Sequence, residues 1–168
     1  VTLSNIRIAF NGAHPENVPA EVPEKEDQYP ECTMFDTLPA YGFYFRHVRG
    51  LQLRDIQLSA ETPGPRPAVI ADDVQRLLIE GLSAQATPDT PAQVMLRDTV
   101  DAWISGCSAA AAEAFLSLEN ACTNVHLRNN DLSTVKKAYA LNPSTPESAI
   151  TADFNFLPKT DQAGEAGK

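Results

Sequence analysis

Leu51-Gln52-Leu53-Arg54-Asp55-Ile56-Gln57-Leu58 is the stretch whose reading decides the fold. Apolar and polar side chains alternate on either side of Asp55, a residue that favours turns. The same phrase returns as Val1-Thr2-Leu3-Ser4-Asn5-Ile6-Arg7-Ile8, as Leu77-Leu78-Ile79-Glu80-Gly81-Leu82-Ser83-Ala84, as Ala102-Trp103-Ile104-Ser105-Gly106-Cys107-Ser108-Ala109 and as Val125-His126-Leu127-Arg128-Asn129-Asn130-Asp131-Leu132. From Leu53 the steps to Ile79, Ile104 and Leu127 are 26, 25 and 23 residues, and only the step from Leu3 carries a long insertion. A period of this size marks a repeat architecture, in which one unit buries its apolar face only against its neighbours.

Each phrase is preceded by another short apolar run: Phe43-Tyr44-Phe45, Val69-Ile70-Ala71, Val94-Met95-Leu96 and Phe115-Leu116-Ser117. Two or three short strands per coil predict an all-β parallel β-helix of about five coils. A helical repeat would place apolar residues three and four apart over ten or more positions. The nearest contender for such a stretch is Ala109 to Leu118, whose alanine run suits a short local helix. Stacked coils align equivalent positions in columns about 4.8 Å apart. One predicted column is Leu3, Leu53, Ile79, Ile104 and Leu127; a second is Ile6, Ile56, Leu82, Cys107 and Asn130; a third is Ile8, Leu58, Ala84, Ala109 and Leu132. The turn column Asn5, Asp55, Gly81, Gly106 and Asn129 holds residue types that tolerate left-handed backbone. Arg46, Asp72 and Arg97 form an outward column of alternating sign, suited to pairing along the stack.

The 168 residues fit one domain, and the formal charge of −9 argues against a nucleic-acid binder or a reader of acidic membranes. No apolar run is long enough to span a bilayer as a helix. Cys32, Cys107 and Cys122 lack metal-ligand spacing and read as reduced, largely buried thiols. The histidines His14, His47 and His126 do not converge on a metal or triad arrangement and read as surface residues; no metal or cofactor is expected. Trp103 points outward in its strand, where it either stacks on a sugar ring or covers an apolar patch.

Three segments break the repeat inside the β-helix domain of residues 1–157. The insertion 11–40 is rich in Pro, Glu and Asn, and its Met34-Phe35 and Tyr29 suggest a part folded back onto the helix. Proline-bearing turns from Glu61 to Pro67 and from Ala86 to Pro91 lead into the Val69 and Val94 strands. Residues 133–157 have enough apolar side chains to cap the last coil, and the polar residues 158–168 are expected to be a disordered tail.

Tyr29-Pro30-Glu31, Met34-Phe35, Leu38-Pro39-Ala40-Tyr41-Gly42-Phe43-Tyr44, Arg46-His47-Val48 and Arg66-Pro67-Ala68 together resemble the C-terminal coils of bacterial glycoside hydrolase family 28 proteins. Polygalacturonases and rhamnogalacturonan hydrolases of that family are right-handed parallel β-helices that cut pectin, so the resemblance implies a right-handed parallel β-helix here. The resemblance implies a periplasmic or secreted protein acting on pectic oligo- or polysaccharide. Inverting cleavage in such enzymes uses two carboxyl groups roughly 6.5–9.5 Å apart. The family's Asn-Thr-Asp, Gly-His-Gly and Arg-Ile-Lys signatures do not occur in this chain, and its one Asp72-Asp73 pair follows a strand instead of preceding one. That pair reads as a turn, with one carboxylate in the outward charge column and the other near main-chain amides. No catalytic residue is therefore assigned here, and the catalytic aspartates are expected upstream of Val1. This chain alone is expected to be inactive.

If the family's groove carries over, substrate contacts fall to Tyr41, Tyr44, Arg46 and Arg66, with Tyr29 and Met34 contributed by the insertion. Arginine forks bind carboxylates, and a phenol both stacks and hydrogen-bonds. The alternative is that the tyrosines pack the insertion and the arginines neutralise an acidic surface, leaving a carbohydrate-binding or structural β-helix module. A coil exposed at Val1 would offer unpaired backbone and apolar core, so the expected partners are preceding coils of the same protein or a second copy.

Overall fold

The computed structural model describes residues 1–11, 18–19, 21–29, 31 and 34–157. The expectations made for His14, Pro30, Cys32 and the tail 158–168 lie outside the described residues. Strands dominate: β1 (Thr2–Phe10), β2 (Phe43–Ala60), β3 (Val69–Ala84), β4 (Ala92–Arg97), β5 (Val100–Ser105), β6 (Ala114–Glu119), β7 (Thr123–Arg128), β8 (Lys137–Leu141) and β9 (Ile150–Asp153). Every strand pairing among them is parallel. The one helical piece among the described residues is a single 3-10 turn, Glu147–Ala149. The alanine-rich stretch forms no helix, because Ala112 and Ala114 are buried in the stack and β6 begins at Ala114.

The coils stack in the register that the repeat implies. Leu3 lies beside Leu53, Leu53 beside Ile79, Ile79 beside Ile104, and Ile104 beside Leu127. The last four side chains of that file have no exposed surface. On the other side, Phe43, Val69, Val94, Leu116 and Tyr139 follow one another, so the parallel β-helix closes about four complete turns. Among the described residues the first phrase supplies β1 to the stack, and each later coil contributes to both sides. Residues 133–157 cover the preceding coil by forming one more rung: β8 pairs with β6, β9 pairs with β7, and Phe156 bridges to Asp131.

Left-handed backbone fixes the corners. Asn5, Asp55, Gly81, Gly106, Asn129 and Phe154 all have positive φ, between 52° and 72°, and occupy one column. Two further corner columns share this conformation: His47, Asp73, Asp98 and Asn120, then Gly50, Arg76, Asp101 and Asn124. Asp and Asn adopt it with less strain than most side chains because their short polar groups bond nearby backbone. At Gly81 a Cβ would stand 2.9 Å from Asp55 Oδ1, so a side chain there would also have to displace that carboxylate.

Buried polar groups are satisfied between coils. Asn130 Oδ1 accepts from the Cys107 amide at 3.0 Å, and its Nδ2 donates to the Ile104 and Arg128 carbonyls and to Asn155 Oδ1. The hydroxyls of Thr99 and Thr145 each donate to main-chain carbonyls of the preceding coil. Cys107 and Cys122 are buried free thiols, and burial pushes the Cys107 thiol up to about 11.

Candidate functional site

The six residues singled out from the sequence fall into three environments. Tyr44 and Arg46 lie at the start of β2, and Arg46 begins an outward row that continues through Asp72 of β3, Arg97 of β4 and Glu119 of β6. The insertion lays Glu21, Val22 and Glu24 beside that row, enclosing a polar cleft of about 430 Å³ lined also by His47, Asp72, Arg97, Glu119 and Asn120. Arg46 is mostly buried. It donates to the Val22 carbonyl, pairs with Glu24 Oε1 at 3.1 Å, and lies 5.9 Å from the centroids of both the Phe35 and Tyr44 rings. The insertion therefore does fold back, anchored by a guanidinium on an aromatic face.

At the edge of this cleft Asp72 Oδ2 accepts from the Tyr44 hydroxyl at 2.7 Å. Burial, together with that carboxylate, pushes the phenol up to about 12. Arg97 Nε donates to Glu119 Oε2 at 2.8 Å, so the sign-alternating column extends one rung beyond the three residues read from sequence. Asp73 meets the ring of His47 instead of main-chain amides, at 2.7 Å from Nδ1. Glu24 approaches Nε2 of the same ring at 3.0 Å. The two carboxylates, Asp73 foremost, raise the His47 pKa above its ordinary value.

Tyr41 and Arg66 belong to a second cleft of about 290 Å³, with Phe10, Asn11, Ala60, Thr62 and Gly64. Its lining is mainly apolar. The Tyr41 ring meets Phe10 edge-on at 5.8 Å, and its hydroxyl donates to the Gln85 carbonyl at 2.8 Å. Burial pushes this phenol up to about 12. Arg66 Nη1 donates to the Leu38 carbonyl at 3.1 Å, and burial lowers the guanidinium's pKa. Tyr29 is 81% exposed and lines neither cleft. Met34 closes a turn with its amide on the Glu31 carbonyl, and its own carbonyl accepts from Lys25.

No family model matches this chain, nor does any curated protein or solved structure. The resemblance to pectin-cutting β-helices therefore stands on the residues quoted for it. The geometry brings together Tyr44 and Arg46, separates them from Tyr41 and Arg66, and leaves Tyr29 and Met34 outside both clefts. It adds Glu21, Glu24, His47, Asp72, Arg97, Glu119 and Asn120, which the sequence did not assign to a site. Glu119 was readable, because it continues the register Arg46, Asp72, Arg97. Glu24 carried no such signal, since an insertion has no period from which to infer its place.

Chemically, the polar cleft is a network of partners already engaged with one another. Glu24 is held by Arg46 and His47, Glu119 by Arg97, and Asp72 by Tyr44. The fork expected to receive a sugar carboxylate at Arg46 is instead engaged by Glu24 and the Val22 and Pro23 carbonyls. Among the described residues no cluster of three or more His, Cys, Asp or Glu side chains is arranged to hold a metal ion.

Proposed function

We propose that this chain is a polysaccharide-binding section of a pectin-type glycoside hydrolase-like β-helix, with the polar cleft as part of its groove and with catalysis assigned to coils other than these. One observation carries the reading: a row of polar side chains, Arg46, Asp72, Arg97 and Glu119, crosses four successive rungs, and the insertion walls it on one side with Glu21, Val22 and Glu24. Rungs recur at about 4.8 Å, so a saccharide chain lying along the stack meets a hydrogen-bonding group at every step. The resemblance of the Met34-Phe35 and Leu38–Tyr44 segments to the pectin-cutting family favours a pectic chain as the occupant.

The mutual pairing of the carboxylates favours binding over turnover. A general acid and base must exchange protons with substrate or water, whereas Glu24, Asp72 and Glu119 are each taken up by a cation or a phenol. The test is calorimetric titration of the chain with pectic oligosaccharides beside a reducing-end assay on the same mixtures. Binding without release of new reducing ends is expected, weakened by Arg97→Ala. Turnover by this chain, or the absence of binding to every pectic fragment offered, would overturn the reading.

A further inference from the structure

A second face carries features that the polar cleft does not explain. Trp103 of β5 and His126 of β7 are register neighbours on the outside of the stack, their rings 4.9 Å apart. The Arg128 guanidinium lies 5.7 Å from the Trp103 ring and 5.8 Å from the Phe154 ring, flanked by both. Trp103 is 41% exposed and Phe154 81% exposed. Two anomalies coincide here. Phe154 holds a φ of 55° in a corner column otherwise filled by Asn, Asp and Gly, a strained conformation for a bulky side chain. Arg128 Nε is a buried side-chain donor with no hydrogen-bond partner among the described residues. The ring packs on the Arg128 guanidinium by one face and otherwise stands in solvent.

We infer that Trp103, His126, Arg128 and Phe154 form a binding platform for a neutral pyranose chain, on a face separate from the polar cleft. Trp103 and Phe154 sit two rungs apart, about 10 Å along the stack, a span of about two sugar units, so a ring on each would leave one between them over Arg128. Indole and phenyl faces take the C–H faces of sugar rings, and the guanidinium between them donates to hydroxyls. The charge pattern selects the neutral sugar. Arg128 is neutralised by Asp153 at 2.7 Å, so the cation of the platform is already balanced and does not await a uronate carboxylate.

Trp103 is the only tryptophan in the chain, so its fluorescence reports on this face directly. Titration with a 1,4-linked β-galacto-oligosaccharide is expected to give a saturable change in indole emission, and an oligogalacturonate of equal length a weaker one. Phe154→Asn installs the residue that the same corner carries at Asn5 and Asn129. It is expected to weaken galacto-oligosaccharide binding about tenfold while the thermal midpoint is held or raised. Unchanged binding in that variant would overturn the assignment, as would a lowered midpoint, which would make the ring a packing element. A tighter response to the galacturonate would overturn the neutral-sugar selection. The platform itself is refuted if the wild-type chain gives no saturable change, or if emission follows protein concentration, which would mean that a second copy covers the face.

Discussion

Replacing Asn130 with Ala probes the way one coil is tied to the next. The side chain is 3% exposed and stands in a column whose earlier members, Ile56 and Leu82, are apolar. Removing it leaves the Cys107 amide without the Oδ1 acceptor at 3.0 Å, and withdraws the Nδ2 donor from the Ile104 and Arg128 carbonyls and from Asn155. A buried donor left unsatisfied costs about 1–3 kcal/mol, and the carbonyls lose further bonds, so the expected destabilisation is about 3 kcal/mol. Against a total stability of about 5–15 kcal/mol that is a large fraction. Urea unfolding followed by far-UV circular dichroism should show it. With a slope near 2 kcal/mol/M the midpoint falls by about 1.5 M. Asn130→Asp keeps the acceptor for Cys107 but turns an oxygen toward three others. Its folded-state carboxyl pKa is therefore raised, and its stability falls further as pH rises through that value. A loss below about 1 kcal/mol in Asn130→Ala would refute the view that this asparagine joins the coils.

The remaining expectations concern the corners, a histidine and a thiol. Gly81→Val forces a β-branched residue into a φ of 72° with its Cβ 2.9 Å from Asp55 Oδ1, and should cost about 2–3 kcal/mol by the same urea assay. Gly106→Ala, whose Cβ would have 3.7 Å of clearance to the Gly81 amide, should cost distinctly less. In an NMR titration, His47 should lose its proton above the ordinary histidine value, because Asp73 and Glu24 favour the imidazolium. The His47 share of the insertion's hold is then fully present below that ordinary value and lost as pH rises through the raised one, while the Arg46 contacts to Glu24 and Val22 remain. Limited proteolysis near Glu24 should quicken over the same interval, and His47→Gln should abolish the pH dependence. Cys107, buried with its thiol pKa at about 11, should resist alkylation at neutral pH until the chain is unfolded.

The architecture was legible because burial in a β-helix repeats. Leu53, Ile79, Ile104 and Leu127 each face the interior at a constant interval, and Asp55, Gly81, Gly106 and Asn129 mark one corner with residues suited to it. The last rung escaped because its corner residue is Phe154, which carries no turn signature, and because Ala152 contributes little apolar contrast. Two corner columns also went unread. They mix His47 with Asp73 and Asp98, and Gly50 with Arg76, so type alone did not disclose that the position, not the residue, sets the conformation. At the candidate site, Tyr44 and Arg46 were named from the family resemblance and their strand fixes where they lie, whereas the grip of Glu24 on Arg46 and His47 depends on how an aperiodic insertion folds back. Tyr29 shows the limit of reading such a segment by composition: an aromatic residue within it is not thereby a wall of the groove.

The account stands on coils stacked in register, and methyl contacts measure that directly. In a sample labelled at Leu and Ile methyls, nuclear Overhauser spectra should connect Leu53 to Ile79, Ile79 to Ile104 and Ile104 to Leu127, as expected for neighbours one interstrand spacing apart. Spectra in which those pairs are silent, or in which the same methyls connect only to residues three and four positions away, would contradict the stack and every site built on it.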